Sequence, residues 1–456
     1  MSMLNTACSS AWNYPVLDIS GRSLCNCCKT PHNKVSTKDL ELGTDLFKKF
    51  IPIKNIKRDL LEGKKNPNCS ACWATEEVGG VSARTGFDDF ARFINATKWV
   101  SLTLDETKDR LLNLSNDDKE DLINWEHPTH IEIMLSTTCD LKCVYCSPHF
   151  SSQWYVEKLK YKEIPVKTAT TNIEEYENIW WNWFEAVAYK TVNQIGFVGG
   201  EPLLDDKLYQ YIERILEIRQ LNNITTTLNI SVVTNFNTPK KYLEKFLNMV
   251  QRISTTPGVD IGICISFEST GNQNDFIRSG ASWQLFHNNI NRLLEFINTN
   301  RLEKTVIYIA PAFCSLSISS MLPFIKYVIM MIETNSKFIW TSTTHVAHPQ
   351  WMSPFILTRD YNRYIDEVID YLTNLKHKKF NQEQYFKFEN WKQIFINYLT
   401  TIKAGIDNSN LDVVKTDKLR KEFVYNIDKL SSRRNLDFNA TFPEMVEFYN
   451  LCKQIT

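Results

Sequence analysis

From His130 onward the chain repeats one pattern: a short β-branched run, then a longer amphipathic stretch. The runs are HIEIMLS (130–136), NQIGFVG (193–199), LNISVVTN (228–235), VDIGICISF (259–267), KTVIYIAP (304–311) and KFIWTSTTHV (337–346). Between them, EEYENIWWNWFEAVAY, DKLYQYIERILEIRQ, KKYLEKFLNMVQRI, WQLFHNNINRLLEFI and SMLPFIKYVIMMI carry apolar residues at helical spacing. Strands that alternate with helices are expected to lie parallel, with the helices covering the sheet. Six such repeats close most of a barrel but fall short of the eight of a complete one. The expected fold class is therefore α/β, a partial (β/α)6 barrel, whose chemistry belongs at the C-terminal ends of the strands.

The flanks read differently. Residues 1–95 hold short apolar alternations such as YPVLDISG and half of the cysteines, and look too irregular for a core of their own. Residues 96–129 read as a charged helical linker, 130–350 as the partial barrel, and 351–456 as a helical C-terminal region without further strands. The 52 basic and 52 acidic side chains cancel, which gives no global attraction to nucleic acid. No apolar run is long enough to span a bilayer, and MSMLNTACSSAW has no basic flank followed by an apolar stretch. A cytoplasmic location is expected, where clustered thiols bind metal more often than they pair.

The cysteines are unevenly placed. Cys264, Cys314 and Cys452 stand alone among apolar residues and read as buried hydrophobes. Cys139, Cys143 and Cys146 fall within CDLKCVYC, directly after the first expected strand. Three thiolates hold three irons of a cubane cluster and leave the fourth iron open to a small molecule. Structural zinc wants four closed ligands, and only His149 stands close by as a fourth, so zinc is the alternative there.

The C-x3-C-x2-C spacing, with Tyr145 before the last cysteine and FVGGEPLL (197–204) after the second strand, resembles the radical S-adenosylmethionine (SAM) enzymes. That resemblance implies a [4Fe–4S] cluster on Cys139, Cys143 and Cys146, with SAM chelating the open iron. Gly199, Gly200 and Glu201 would meet the SAM amino group. Thr234 and Asn235, and Ser266 and Glu268, close the next two strands where the family holds ribose and methionine, although polar strand ends are also plain caps. Arg278 in FIRSGASW resembles a recurrent family segment, where it would pair with a carboxylate. Tyr145 and Val346 would flank the adenine. The family's adenine motif is not evident in VIYIAPAFCSL.

At the N-terminus the sequence runs CSSAW (8–12), GRSLCNCC (21–28) and NPNCSACW (66–73), with SAR at 82–84. This resembles the auxiliary-cluster module called twitch, the shortened form of SPASM. The resemblance implies a second [4Fe–4S] cluster on Cys8, Cys28, Cys69 and Cys72, with Cys25 or Cys27 open as alternatives to Cys28. Such modules commonly follow the barrel, whereas this one precedes it, and four cysteines satisfy zinc equally well.

The implied activity is reductive cleavage of SAM to a 5′-deoxyadenosyl radical, which abstracts hydrogen from a substrate. A peptide or protein substrate is expected first, and a carbohydrate, nucleotide or tRNA base second. The implied partner is a reductant such as flavodoxin or ferredoxin. A non-enzymatic, zinc-stabilised binding module is the reading from another class.

Overall fold

The computed structural model describes residues 3–77, 82–166, 170–340, 344–375 and 382–455. The chain divides into two compact units, one of residues 1–137, 166–232 and 256–260, the other of residues 138–165, 233–255 and 261–456.

In the first unit β1 (Val16–Asp18), β2 (Ser23–Cys25) and β3 (Asn33–Lys34) form an antiparallel meander. On its other side β1 runs parallel to β4 (His130–Met134), with Val16 opposite Glu132. Next come β5 (Gln194–Val198) and β6 (Leu228–Thr234), both parallel. One row across this set reads Glu132, Gly196, Ser231.

The N-terminal residues do not lack a core. Trp12, Ile56, Leu60, Phe90 and Ile94 pack with Trp99, Leu111, Leu122 and Ile123 as one buried cluster. The Trp12 indole nitrogen also donates to Leu122 O at 2.8 Å. Residues 1–95 and the expected linker thus share one interior. The sequence hides it because the apolar positions sit in short helices such as Ile51–Leu61 and Gly86–Thr97, and no single window shows the period.

β6 and β7 (Val259–Ile265) both begin in the first unit and end in the second. Within the second unit Ser266 N donates to Thr234 O at 3.0 Å. β7 then runs parallel to β8 (Thr305–Ile309), while β9 (Ala312–Phe313) leaves that sheet. β10 (Phe338–Trp340) lies parallel to β8, and β11 (Thr344–His345) pairs with β9. Residues 341–343 of the expected last strand lie outside the described residues.

The helices between strands follow the expected period. In Lys240–Ser254, residues Leu243, Phe246, Leu247, Val250 and Ile253 are buried on one face. The helix Trp283–Thr299 starts where the Ser282 side chain accepts from Leu285 N. The C-terminal region is helical, with Asn362–Asn374, Gln382–Ser409 and Val413–Arg434 as its main elements. The chain is therefore α/β, with parallel strands joined by helices. Among the described residues no helix is long and apolar enough to cross a membrane.

Candidate metal and cofactor site

The cysteine loop after β4 has no regular structure, so its shape depends on side chains and distant backbone. Ser151 Oγ donates to Leu141 O at 2.7 Å, and the Trp154 indole nitrogen donates to Cys143 O at 2.8 Å. Cys139 N donates to Ser152 Oγ at 3.1 Å. From further along the chain, Ser279 O accepts from Lys142 N at 2.7 Å and Ile277 O accepts from Val144 N at 2.8 Å. Gly280, at φ +102°, lets this second segment approach, since a Cβ there would lie 3.3 Å from Asp140 O. FIRSGAS is therefore the clamp that shapes the loop.

Cys139, Cys143 and Cys146 are free thiols, half-buried, and the first and last act electrostatically on the middle one. Burial pushes the Cys143 thiol well above its usual range; its two neighbours add to the rise and Arg278 opposes it. Cys146 is raised by burial too, against Arg278 and Arg434. Coordination to iron would reverse this preference, because a coordinated thiol is deprotonated outright. Three thiols on one short loop, with Arg278 acting on the middle one, fit an iron–sulfur cluster as a donor set.

Arg278 is almost fully buried, and its Nη2 donates to Glu268 Oε2 at 2.8 Å. Tyr145 OH donates to the other oxygen, Oε1, at 3.0 Å. Glu268 is thus occupied at both oxygens and holds Tyr145 and Arg278 in place. Arg278 Nε is buried and makes no hydrogen bond among the described residues. An unmet buried donor is costly, and an anionic group such as a carboxylate would satisfy it.

The two strand-end pairs are held locally. Thr234 Oγ1 accepts from Phe236 N at 2.9 Å, and Asn235 Oδ1 accepts from Asn237 N at 2.7 Å. Asn235 Nδ2 also donates to Asp140 Oδ1 at 2.9 Å, which ties it to the cysteine loop. Ser266 is half-buried at the end of its strand. Val346 is buried after β11, its N–H bonded to Phe313 O at 2.8 Å. His149 packs edge-on against Phe150 with ring centres 4.5 Å apart.

The GGEP turn belongs to the first unit. Gly199 has φ +119°, and a Cβ there would lie 2.6 Å from Met134 Cγ and 2.9 Å from Ser136 O. Gly200 N donates to Ser136 O at 3.2 Å, which binds the turn to the end of β4. Glu201 is buried and accepts from Leu203 N at 3.1 Å. Gly199→Ala combines a forbidden φ with a backbone clash. It is expected to lower stability by about 1–3 kcal/mol in a thermal melt; an unchanged melt contradicts this geometry.

Several N-terminal cysteines act on one another. Cys8 and Cys72 both act on Cys69, whose thiol is pushed up to about 12, chiefly by burial. Cys8 acts electrostatically on Cys27, and Cys27 and Cys28 act on one another. Cys25 is buried and directs its thiol to Cys27 O at 3.4 Å. The rest of the motif has a mechanical reason. Arg84 forks onto Glu76 at 2.9 and 2.8 Å, donates to Ala7 O at 3.1 Å, and lies 4.7 Å from the Trp73 ring centre. It thereby ties the backbone beside Cys8 to the helix that carries Cys72. Of the isolated cysteines, Cys314 and Cys452 are buried, whereas Cys264 is half-buried.

One constellation is not apparent from sequence motifs. Tyr14 OH donates to Glu132 Oε2 through a short hydrogen bond, and the Tyr14 ring stacks on His130 with centres 3.9 Å apart. A Cβ on Gly196 would lie 3.3 Å from Ser231 Oγ and 3.9 Å from both Glu132 Cγ and His130 Nε2. Polar side chains at alternate positions of HIEIM were the available signal, since a strand with one polar face lines something other than apolar core. Burial lowers His130 to about 4. With the folded value below the unfolded one, stability is full above about pH 6.5 and is lost as pH falls toward 4. His130→Phe keeps the stacking and should reduce the loss between pH 7 and 5 by about 2 kcal/mol; an unaltered acid slope in denaturant melts contradicts a neutral His130.

The cysteine triad follows β4, the GGEP turn follows β5, and the segment carrying Arg278 clamps the cysteine loop. Over 104 residues the chain is 25% identical to a GTP 3′,8-cyclase of Campylobacter lari, covering 23% of this chain and 28% of that protein. The chain thus matches under a third of that relative's length. No family model matches the chain. Solved structures with weak likeness are anSMEcpe with bound AdoMet (14% identity, 53% of this chain and 60% of that one, TM-score 0.35), and SuiB of Streptococcus suis (14% identity, 74% and 67%, TM-score 0.35). At those TM-scores neither likeness assigns a substrate or a residue role to this chain.

Proposed function

We propose that this chain is a radical SAM enzyme acting on a peptide or protein. The observation that carries the reading is a three-thiol loop clamped by residues 277–279, with Arg278 in the clamp keeping an unmet buried donor. Cys139, Cys143 and Cys146 would hold a [4Fe–4S] cluster, and Gly199, Gly200 and Glu201 would receive the SAM amino group. Thr234, Asn235 and Ser266 would border ribose and methionine, and Tyr145 and Val346 the adenine. Glu268 would act by fixing Tyr145 and Arg278, which leaves Arg278 Nε for an anionic group. When bound and reduced, the cluster and SAM supply a 5′-deoxyadenosyl radical that takes hydrogen from the substrate.

The first unit would hold the second [4Fe–4S] cluster on Cys8, Cys69, Cys72 and one of the 25–28 cysteines. Cys28 is the first candidate for that position, with Cys25 or Cys27 as alternatives. The peptide or protein substrate is supported by the twitch/SPASM resemblance of this segment. Tyr14, His130, Glu132 and Ser231 would face it, because Glu132 Oε1, the His130 ring nitrogens and Ser231 Oγ make no hydrogen bond among the described residues. A flavodoxin or ferredoxin would deliver the electron. Anaerobically reconstituted protein given dithionite and SAM should form 5′-deoxyadenosine; its absence from iron-replete protein overturns the reading.

A further inference from the structure

The C-terminal helices have no part in the proposed chemistry, yet one of them reaches the cysteine loop. The helix Val413–Arg434 ends on Arg434, followed by Asn435 in the left-handed region at φ 53°. The Arg434 side chain is only 2% exposed, and its partner Glu157 only 5%. Nε and Nη2 fork onto Glu157, each at 3.0 Å. The remaining arm, Nη1, donates to Lys142 O at 2.6 Å, inside CDLKCVYC. The guanidinium carbon lies 4.5 Å from the centre of the Trp154 ring, whose indole nitrogen holds Cys143 O.

The neighbouring turn repeats the contact. Lys429 and Arg433 both reach Glu163 at 2.6 Å, and the Arg433 guanidinium lies 3.8 Å from the Tyr161 ring centre. Trp154 and Glu157 sit on the helix Ser152–Lys160, which comes directly after the cysteine loop. A row of cations at the end of one helix therefore holds the helix that leaves the loop, through Glu157, and the turn just after it, through Tyr161 and Glu163, and Arg434 touches the loop itself.

Burying such a pair costs desolvation that apolar packing would avoid, so its retention calls for a geometric reason. Arginine supplies one, because its rigid fork can fix a carboxylate and a carbonyl in one plane. We infer that Arg434 is a positioning residue, and that the helix Val413–Arg434 fastens the cysteine loop in the shape that presents its three thiols. The inference rests on the reading of Cys139, Cys143 and Cys146 as cluster ligands.

The test compares full-length Arg434→Gln, Arg434→Lys and Trp154→Phe with wild type. In protein stripped of metal and kept reduced, iodoacetamide labelling of each cysteine is followed by mass spectrometry. Arg434→Gln should speed labelling of Cys139, Cys143 and Cys146 by about tenfold, with Cys8, Cys69, Cys72, Cys314 and Cys452 unchanged. Arg434→Lys keeps the charge without the fork and should fall between. If Arg434→Gln fails to fold, Arg434→Lys and Trp154→Phe carry the same comparison. In iron-loaded protein, Arg434→Gln should hold as much iron as wild type but weaken the SAM-induced change in the electron paramagnetic resonance spectrum. Unchanged labelling of the three loop cysteines overturns the inference, as does a rise at all cysteines together, which marks general loosening. Wild-type protein without iron at the loop would instead defeat the cluster reading, and the labelling contrast would still decide the role of Arg434.

Discussion

Cys143→Ala should abolish SAM cleavage, lowering 5′-deoxyadenosine formation by at least about a thousandfold, or about 4 kcal/mol of barrier. The loop should survive the change. The Cys143 carbonyl stays bonded to Trp154, and the residues on either side, Lys142 and Val144, stay bonded to Ser279 and Ile277. The loss would therefore be one of metal ligation, visible as about four fewer irons with an unaltered far-ultraviolet circular dichroism spectrum. Normal 5′-deoxyadenosine production by the variant would overturn the assignment of the loop.

Replacing Cys69 and Cys72 together by alanine should remove about four irons and leave SAM cleavage in place. Both cysteines are half-buried, at a turn whose lock is made by other residues: Arg84 on Glu76, Arg84 on Ala7 O, and the Trp73 indole on Asn66 O at 3.0 Å. That lock contains neither sulfur, so the first unit should keep its fold. Unchanged iron content in the double variant would refute an auxiliary cluster at these cysteines. Zinc in place of iron would leave the four-thiol site standing but change its chemistry.

These two variants separate the parts of the chain that were legible in sequence from those that were not. The strands from His130 onward were legible because each is a local run of β-branched residues; the first five are present with ends trimmed by a residue or more, and the sixth run carries two short strands, β10 and β11, that pair in different sheets. The cysteine loop was legible because its spacing is local too. The clamp at 276–282 was readable only as a resemblance; its physical cause, backbone hydrogen bonds to Lys142 and Val144, spans more than a hundred residues and leaves no periodic trace.

Non-local pairing accounts for the remaining differences. YPVLDISG shows its alternation, but nothing in it says that Val16–Asp18 lies beside β4. Cys25, Cys27 and Cys28 carry the same local signal, so spacing alone leaves the fourth position among them open. Arg434 stands 277 residues from Glu157, so its burial leaves no trace in the local sequence. The N-terminal core was missed for a related reason, since Trp12 and Leu122 meet across 110 residues.

The central claim is that the three loop thiols leave one iron without a protein ligand. Pulsed electron–nuclear double resonance on the reduced protein, using SAM labelled with 17O at its carboxylate and 15N at its amine, tests this most directly. Coupling of both labels to the cluster is the predicted result. No coupling from SAM, together with coupling from 15N-labelled histidine, would place a side chain such as His149 on that iron and contradict the account.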